Sequence, residues 1–99
     1  MNKLEAEKFK SSGVNIVDPV TTYIDSSVIF KGNNITIKPN THIRGKSEIN
    51  SNCIIGPNSY VVDSLVNKNV NINFSYIENS ILENKCIIGP YSRVRSNSL

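Results

Sequence analysis

The sequence predicts an all-β fold, a parallel β-helix of about four coils behind a short N-terminal helix. Three observations predict it. An aliphatic residue returns every six positions through the middle of the chain, at Ile37, Ile43, Ile49, Ile55 and Val61. That spacing fits neither the 3.6-residue period of a helix nor the alternation of an ordinary strand, and a fixed six-residue repeat marks a coil of short sides. Small residues recur four positions after each rung, at Thr41, Ser47, Cys53 and Ser59, as an inward site beside a tight corner requires. Gly56-Pro57 and Gly89-Pro90 each follow an Ile rung at the same phase. Glycine permits unusual torsions at such a corner and proline presets a turn.

The elements follow in order. Residues 3–11, Lys-Leu-Glu-Ala-Glu-Lys-Phe-Lys-Ser, are good helix formers with no β-branched residue, and Gly13 is placed to stop them. Leu4 and Phe9 give only a weak apolar face, so residues 1–13 are expected to form a helical arm or linker. Val14 to Val17 reads as a short extended lead-in, and Pro19 biases Asp18 away from the helical region. Residues 14–99 are then expected to form the β-helix domain. Its rungs are Ile24, Phe30, Ile37, Ile43, Ile49, Ile55, Val61, Val66, Ile72, Ile77, Leu82, Ile88 and Val94. Most intervals are six residues; one is seven and three are five. Later small sites are Cys86, Ser92 and Ser98. Val28, Leu65 and Val70 fit as apolar, whereas Asn34 and Tyr76 fit poorly.

Three rungs per coil sort these residues into columns. The first is Ile24, Ile43, Val61, Ile77, Val94; the second is Phe30, Ile49, Val66, Leu82; the third is Ile37, Ile55, Ile72, Ile88. The register places Cys53 and Cys86 in one file with Val70 between them. Two coil steps separate them by roughly 9.6 Å, beyond the about 7 Å between Cα atoms that a disulfide allows. Both thiols are expected to be reduced, buried fillers, and two thiols without a nearby histidine do not complete a zinc site.

Composition agrees. Hydrophobic content of 38% is low for a compact globule but suits coils that each bury one thin column. Ninety-nine residues make one domain. The net charge of +3 is scattered, with no Lys/Arg run longer than two and no aromatic-plus-basic platform, which argues against a nucleic-acid partner. No window is apolar for the roughly 18 residues of a membrane span, and residues 1–12 carry no secretory signal. The expected compartment is cytoplasmic. The rungs continue to Val94, and a bare last coil exposes unpaired backbone. The expectation is that another subunit covers that end, or that the polypeptide is a piece of a longer protein.

Several segments together resemble one enzyme family. They are Gly13-Val14 through Asp18-Pro19, Ile55-Gly56-Pro57-Asn58-Ser59, Val61-Val62-Asp63-Ser64, Ile77-Glu78-Asn79-Ser80-Ile81-Leu82 and Ile88-Gly89-Pro90-Tyr91-Ser92-Arg93-Val94-Arg95. They are similar to the linker and first coils of the bifunctional UDP-N-acetylglucosamine pyrophosphorylase / glucosamine-1-phosphate N-acetyltransferases. The five-residue slips fall where that family has them. The resemblance implies a left-handed β-helix, a homotrimer, and acetyl transfer with acetyl-coenzyme A and Mg2+ as the family's cofactors. It implies none of these cofactors for the present residues, because the family's nucleotide loop, catalytic His and coenzyme A region have no counterpart here. Only Arg95 matches a family functional position, an Arg that binds the sugar phosphate. Ser96-Asn97 replaces the usual Pro-Gly beside it.

Arg95 carries two readings. It follows the Val94 rung and points outward, as Glu78 does one coil below, so the two are expected to form an exposed cross-strand ion pair worth under about 1 kcal/mol. Asp25 and Arg44 repeat that arrangement lower down. Arg95 is otherwise a retained anion site, with Arg93 beside it. His42 is the single histidine and faces outward, without the positioned partner a general base needs. Asp18, Asp25, Glu48, Asp63, Glu78 and Glu83 are spread among coils. Three functions follow: a truncated acetyltransferase-type β-helix acting as a structural or trimerising module, a component of a split sugar-phosphate acetyltransferase, or a sugar-nucleotide or phosphate-binding module.

Overall fold

The computed structural model describes residues 1–96. Fourteen short strands among them, numbered β1 to β14 in chain order, stack in three parallel sheets. One face holds β1 (Val14–Ile16), β4 (Ile35–Ile37), β7 (Ile54–Ile55), β10 (Asn71–Ile72) and β13 (Ile87–Ile88). A second holds β2 (Tyr23–Ile24), β5 (His42–Arg44), β8 (Tyr60–Val62), β11 (Tyr76–Glu78) and β14 (Arg93–Arg95). The third holds β3 (Ile29–Lys31), β6 (Glu48–Asn50), β9 (Leu65–Val66) and β12 (Ile81–Leu82).

The register reproduces the columns read from the sequence. Ile24, Ile43, Val61, Ile77 and Val94 align in one file. Phe30, Ile49, Val66 and Leu82 align in the second. Ile37, Ile55, Ile72 and Ile88 form the third, which begins one step earlier because Ile16 pairs with Ile37. Val14–Ile16 is therefore a full strand and not a lead-in: Val14 and Ile16 are buried and Asn15 is exposed. At three strands per circuit the fourteen make nearly five coils, against the four expected.

Alternation along each strand turns one residue inward and its neighbours outward, except that β1 and β4 turn both ends inward around an outward centre. Ile37, Ile43, Ile49, Ile55, Ile72 and Ile77 are completely enclosed. Each such side chain contributes about 1.5–3 kcal/mol relative to exposure, so one aliphatic residue per strand suffices. The corners explain the asparagines. Asn34, Asn40, Asn52, Asn58, Asn69 and Asn79 all adopt the left-handed conformation, which asparagine tolerates better than most residues.

The irregular intervals are absorbed at the corners. In each five-residue interval the inward corner residue is the third after the rung, so Ser64, Ser75 and Ser80 are buried. Leu65 and Tyr76, assigned to that position from the sequence, face outward instead. The seven-residue interval shifts the inward site the other way, from Asn34 to the buried Ile35. Ser98, expected in the same ladder, lies outside the described residues.

These inward serines complete the backbone pairing. The Ser64 hydroxyl donates to Val62 O at 2.9 Å and accepts the Ser80 amide at 3.1 Å. Ser47 likewise accepts from the Ser64 amide at 3.1 Å, and Ser75 from the Ser92 amide at 3.2 Å. A buried N–H deprived of its acceptor costs about 1–3 kcal/mol. Ser64→Ala is therefore expected to destabilise the fold by about that amount, with exposed Ser26→Ala near neutral. Denaturant titration of both variants checks it.

The N-terminal helix α1 (Lys3–Ser11) starts at Asn2, whose side chain accepts from the Glu5 amide at 2.9 Å. It stops where expected: Gly13, at φ +88°, donates to Lys10 O at 3.0 Å. No residue of the helix is fully buried, but Met1, Ala6 and Phe9 pack against the core and Phe9 meets Phe30 edge to face at 5.6 Å. No helix among the described residues is long and apolar enough to cross a membrane.

Candidate functional site

The second face carries the candidate site. Residues just before its rungs stack outward as one column: Tyr23, His42, Tyr60, Tyr76 and Arg93. Residues just after its rungs give a parallel column in which Arg44, Val62, Glu78 and Arg95 are in register. In the first column ring centroids step by 5.9, 4.7 and 5.5 Å from Tyr23 to Tyr76. Guanidinium groups close the column at both ends. Arg44 lies 5.0 Å from the Tyr23 ring and Arg93 lies 5.7 Å from the Tyr76 ring.

The two columns are cross-linked. The Arg44 guanidinium donates to the Tyr60 hydroxyl at 3.4 Å, which holds its pKa above the ordinary value, with Asp25 adding in the same direction. Asp25 is 3.8 Å from Arg44, the ion pair read from the sequence. The Tyr76 hydroxyl donates to Glu78 Oε1 at 3.0 Å, and that carboxylate raises the phenol above its usual range.

Arg95 stands directly opposite Glu78 in the β11–β14 register and is exposed. The expected Glu78–Arg95 ion pair does not form among the described residues, whose ion pairs are Lys31–Glu48 and Arg44–Asp25. Tyr76 reaches the same carboxylate from two residues away on its own strand and takes that place. Ser96 adopts φ +51° and donates its amide to Glu78 O at 3.0 Å; Asn97 lies outside the described residues.

His42 points away from the tube, as expected, but the Tyr23 and Tyr60 rings cover it. Its Nδ1 is buried without a hydrogen-bond partner. Nothing positions it as a base. The carboxylates are dispersed, and among the described residues no three His, Cys, Asp or Glu side chains gather as a metal site. Cys53 and Cys86 are both free, and Cys53 is fully enclosed while Cys86 is half-buried. Burial pushes the Cys53 thiol above its ordinary range, and its Sγ lies 2.9 Å from Asn67 O.

Beside the ring column runs a corner column whose left-handed residues are Asn40, Asn58, Phe74 and Tyr91. Phe74 and Tyr91 meet at 5.8 Å, and Tyr91 is 84% exposed. Between the two columns lies an open groove of about 400 Å³, walled by His42, Tyr60, Tyr76, Asn58 and Phe74 and floored by Ser59, Ser75 and Ser92. All four tyrosines and Phe74 thus sit on one side of the molecule. Sequence reasoning missed this platform because its members stand sixteen to nineteen positions apart. The signal was present: Tyr23, His42, Tyr60 and Tyr76 each precede a first-column rung.

Comparison with known proteins agrees with the fold. The family described as bacterial transferase hexapeptide (six repeats) matches residues 32–63. The bifunctional protein GlmU of Caldanaerobacter subterraneus subsp. tengcongensis is 40% identical over 93 residues, covering 94% of this chain and 20% of the relative. GlmU of Fervidobacterium nodosum is 41% identical over 93 residues, with the same coverage. GlmU of Thermotoga maritima is 40% identical over 93 residues, 94% of this chain and 21% of the relative. The chain spans about one fifth of the length of the curated relatives it matches. It is therefore a hexapeptide-repeat β-helix related to GlmU over nearly all of its own length, as the resemblance of its Gly-Pro corners and slipped intervals implied.

Proposed function

We propose that this chain is a structural, trimer-forming β-helix of acetyltransferase type that does not itself transfer acetyl groups. The observation that supports it is the placement of His42. The chain's one histidine is packed between two tyrosines, with Nδ1 enclosed and no carboxylate orienting it, so it is not poised for proton transfer. The third face supports self-association. Its outward column runs Ile29, Glu48, Leu65, Ile81, and Ile29 and Ile81 are 53% and 43% exposed. Unpaired thiols favour a reducing, cytoplasmic compartment.

A coupled assay with acetyl-coenzyme A and glucosamine 1-phosphate is expected to give no turnover above background; turnover overturns the reading. Light scattering is expected to give three times the 11.0 kDa protomer mass, and Ile81→Lys to shift it toward the monomer. A monomeric parent chain contradicts the trimer. One observation favours a phosphate-binding module as the second reading. Glu78 is engaged by Tyr76, which leaves exposed Arg95 beside Arg93 on one strand. Calorimetry with inorganic phosphate and with UDP-N-acetylglucosamine tests this: heat that disappears in Arg95→Ala supports it, and no heat at millimolar ligand removes it.

A further inference from the structure

We propose that the aromatic groove on the second face is a docking site for a proline-rich segment in the polyproline II conformation, carrying an acidic residue at one end. The groove runs along the coil axis between the columns of His42, Tyr60 and Tyr76 and of Asn58 and Phe74. Its walls therefore repeat at the coil step, about 4.8 Å. A polyproline II helix rises about 3.1 Å per residue and turns once in three, or about 9.3 Å. Two coil steps are about 9.6 Å. Prolines three apart would thus meet equivalent wall positions two coils apart, one against His42 and the next against Tyr76. A single-stranded nucleic acid fits less well. Bases need ring faces to stack on, and here ring centroids already lie 4.7–5.9 Å from one another.

The chemistry of the walls agrees. Aromatic-lined grooves bind such segments because the ligand is already extended and loses little entropy on docking. Polyproline II leaves its carbonyls unpaired, and the side-chain amides of Asn40 and Asn58 and the hydroxyl of Ser92 line the groove to meet them.

The backbone of the platform argues that the rings are there for contact. Phe74 and Tyr91 occupy left-handed corner positions at φ +46° and +62°, where bulky side chains are disfavoured and asparagine serves the coils below. Both project into solvent.

Charge sets the direction. Asp25 is held by Arg44 and Glu78 by Tyr76, whereas Arg93 and Arg95 both stand exposed on β14 beside the last ring. The acidic residue belongs at that end. The platform lies on a different face from the Ile29–Ile81 column, so peptide binding and trimer formation stand or fall separately.

The test is fluorescence anisotropy of a labelled peptide of about ten residues with two prolines three apart and one terminal glutamate. Saturable binding is expected at high-micromolar protein. Tyr60→Ala and Tyr76→Ala are each expected to weaken it at least about tenfold, as truncated aromatic anchors do, with the fold verified by circular dichroism. Tyr60→Phe keeps the ring and is expected to keep binding. Arg93→Glu is expected to weaken the glutamate peptide and to spare one ending in lysine. The proposal is overturned if nothing binds at millimolar protein, if a glycine-for-proline peptide binds equally, or if a single-stranded oligonucleotide or an oligosaccharide binds more tightly than the peptide.

Discussion

Ile55→Ala is expected to destabilise the protein by about 2–5 kcal/mol, and Ile54→Ala by less than about 1 kcal/mol. The two isoleucines are neighbours in a two-residue strand, and only their orientation differs. Ile55 is completely enclosed in the column of Ile37, Ile72 and Ile88. Ile54 is half-buried on the outside. Removing the Ile55 side chain leaves a cavity that stacked strands cannot close, because coils above and below fix its walls. A domain of this size has a total stability of about 5–15 kcal/mol, so the loss is a large part of the whole. Denaturant or thermal unfolding of the two variants checks it, and equal losses contradict the assigned orientation.

Gly89→Ala is expected to be the most damaging corner substitution. Gly89 has φ +114°, and a Cβ there would collide with the Asn73 carbonyl oxygen and meet Asn73 Oδ1 at 2.8 Å and the Ser75 hydroxyl at 2.9 Å. The backbone conformation alone costs a non-glycine residue about 1–3 kcal/mol. The contact adds to this, because a carbonyl of the coil below cannot swing aside as a flexible side chain could. Asn58→Gly is the matched control: that corner is already left-handed, at φ +53°, and glycine accepts it without strain. Thermal melts are expected to show a drop of several degrees for Gly89→Ala and little change for Asn58→Gly.

The fold was legible because a solenoid writes its tertiary structure into a local period. Ile37 to Val61 shows the step, and Gly56-Pro57 and Gly89-Pro90 show the corners. What the sequence hid follows from the same geometry. Val14–Ile16 has no rung six residues away to reveal it, because the turn Pro19–Thr21 lengthens the next interval to the eight residues from Ile16 to Ile24. The four-residue spacing lands on Leu65, which fits, and on Tyr76, which fits poorly, because a deleted residue shifts the corner site by one; Ser64 and Ser75 make the hydrogen bonds that fix the phase. The site was less legible than the fold. Pairing Glu78 with Arg95 was sound on register, but a phenol on the same strand competes for the carboxylate. The aromatic platform is a property of stacking: residues sixteen to nineteen apart have no relation in the chain until the coils bring them to about 5 Å.

Methyl–methyl nuclear Overhauser spectroscopy on selectively labelled Ile and Val tests the central claim most directly. Three side chains per circuit in vertical register require cross-peaks from Ile43 to Val61 and from Val61 to Ile77, residues eighteen and sixteen apart that align across adjacent coils. Cross-peaks confined to sequence neighbours, or a Val61 whose partners are neither Ile43 nor Ile77, would contradict the stacked coils and the functional reading built on them.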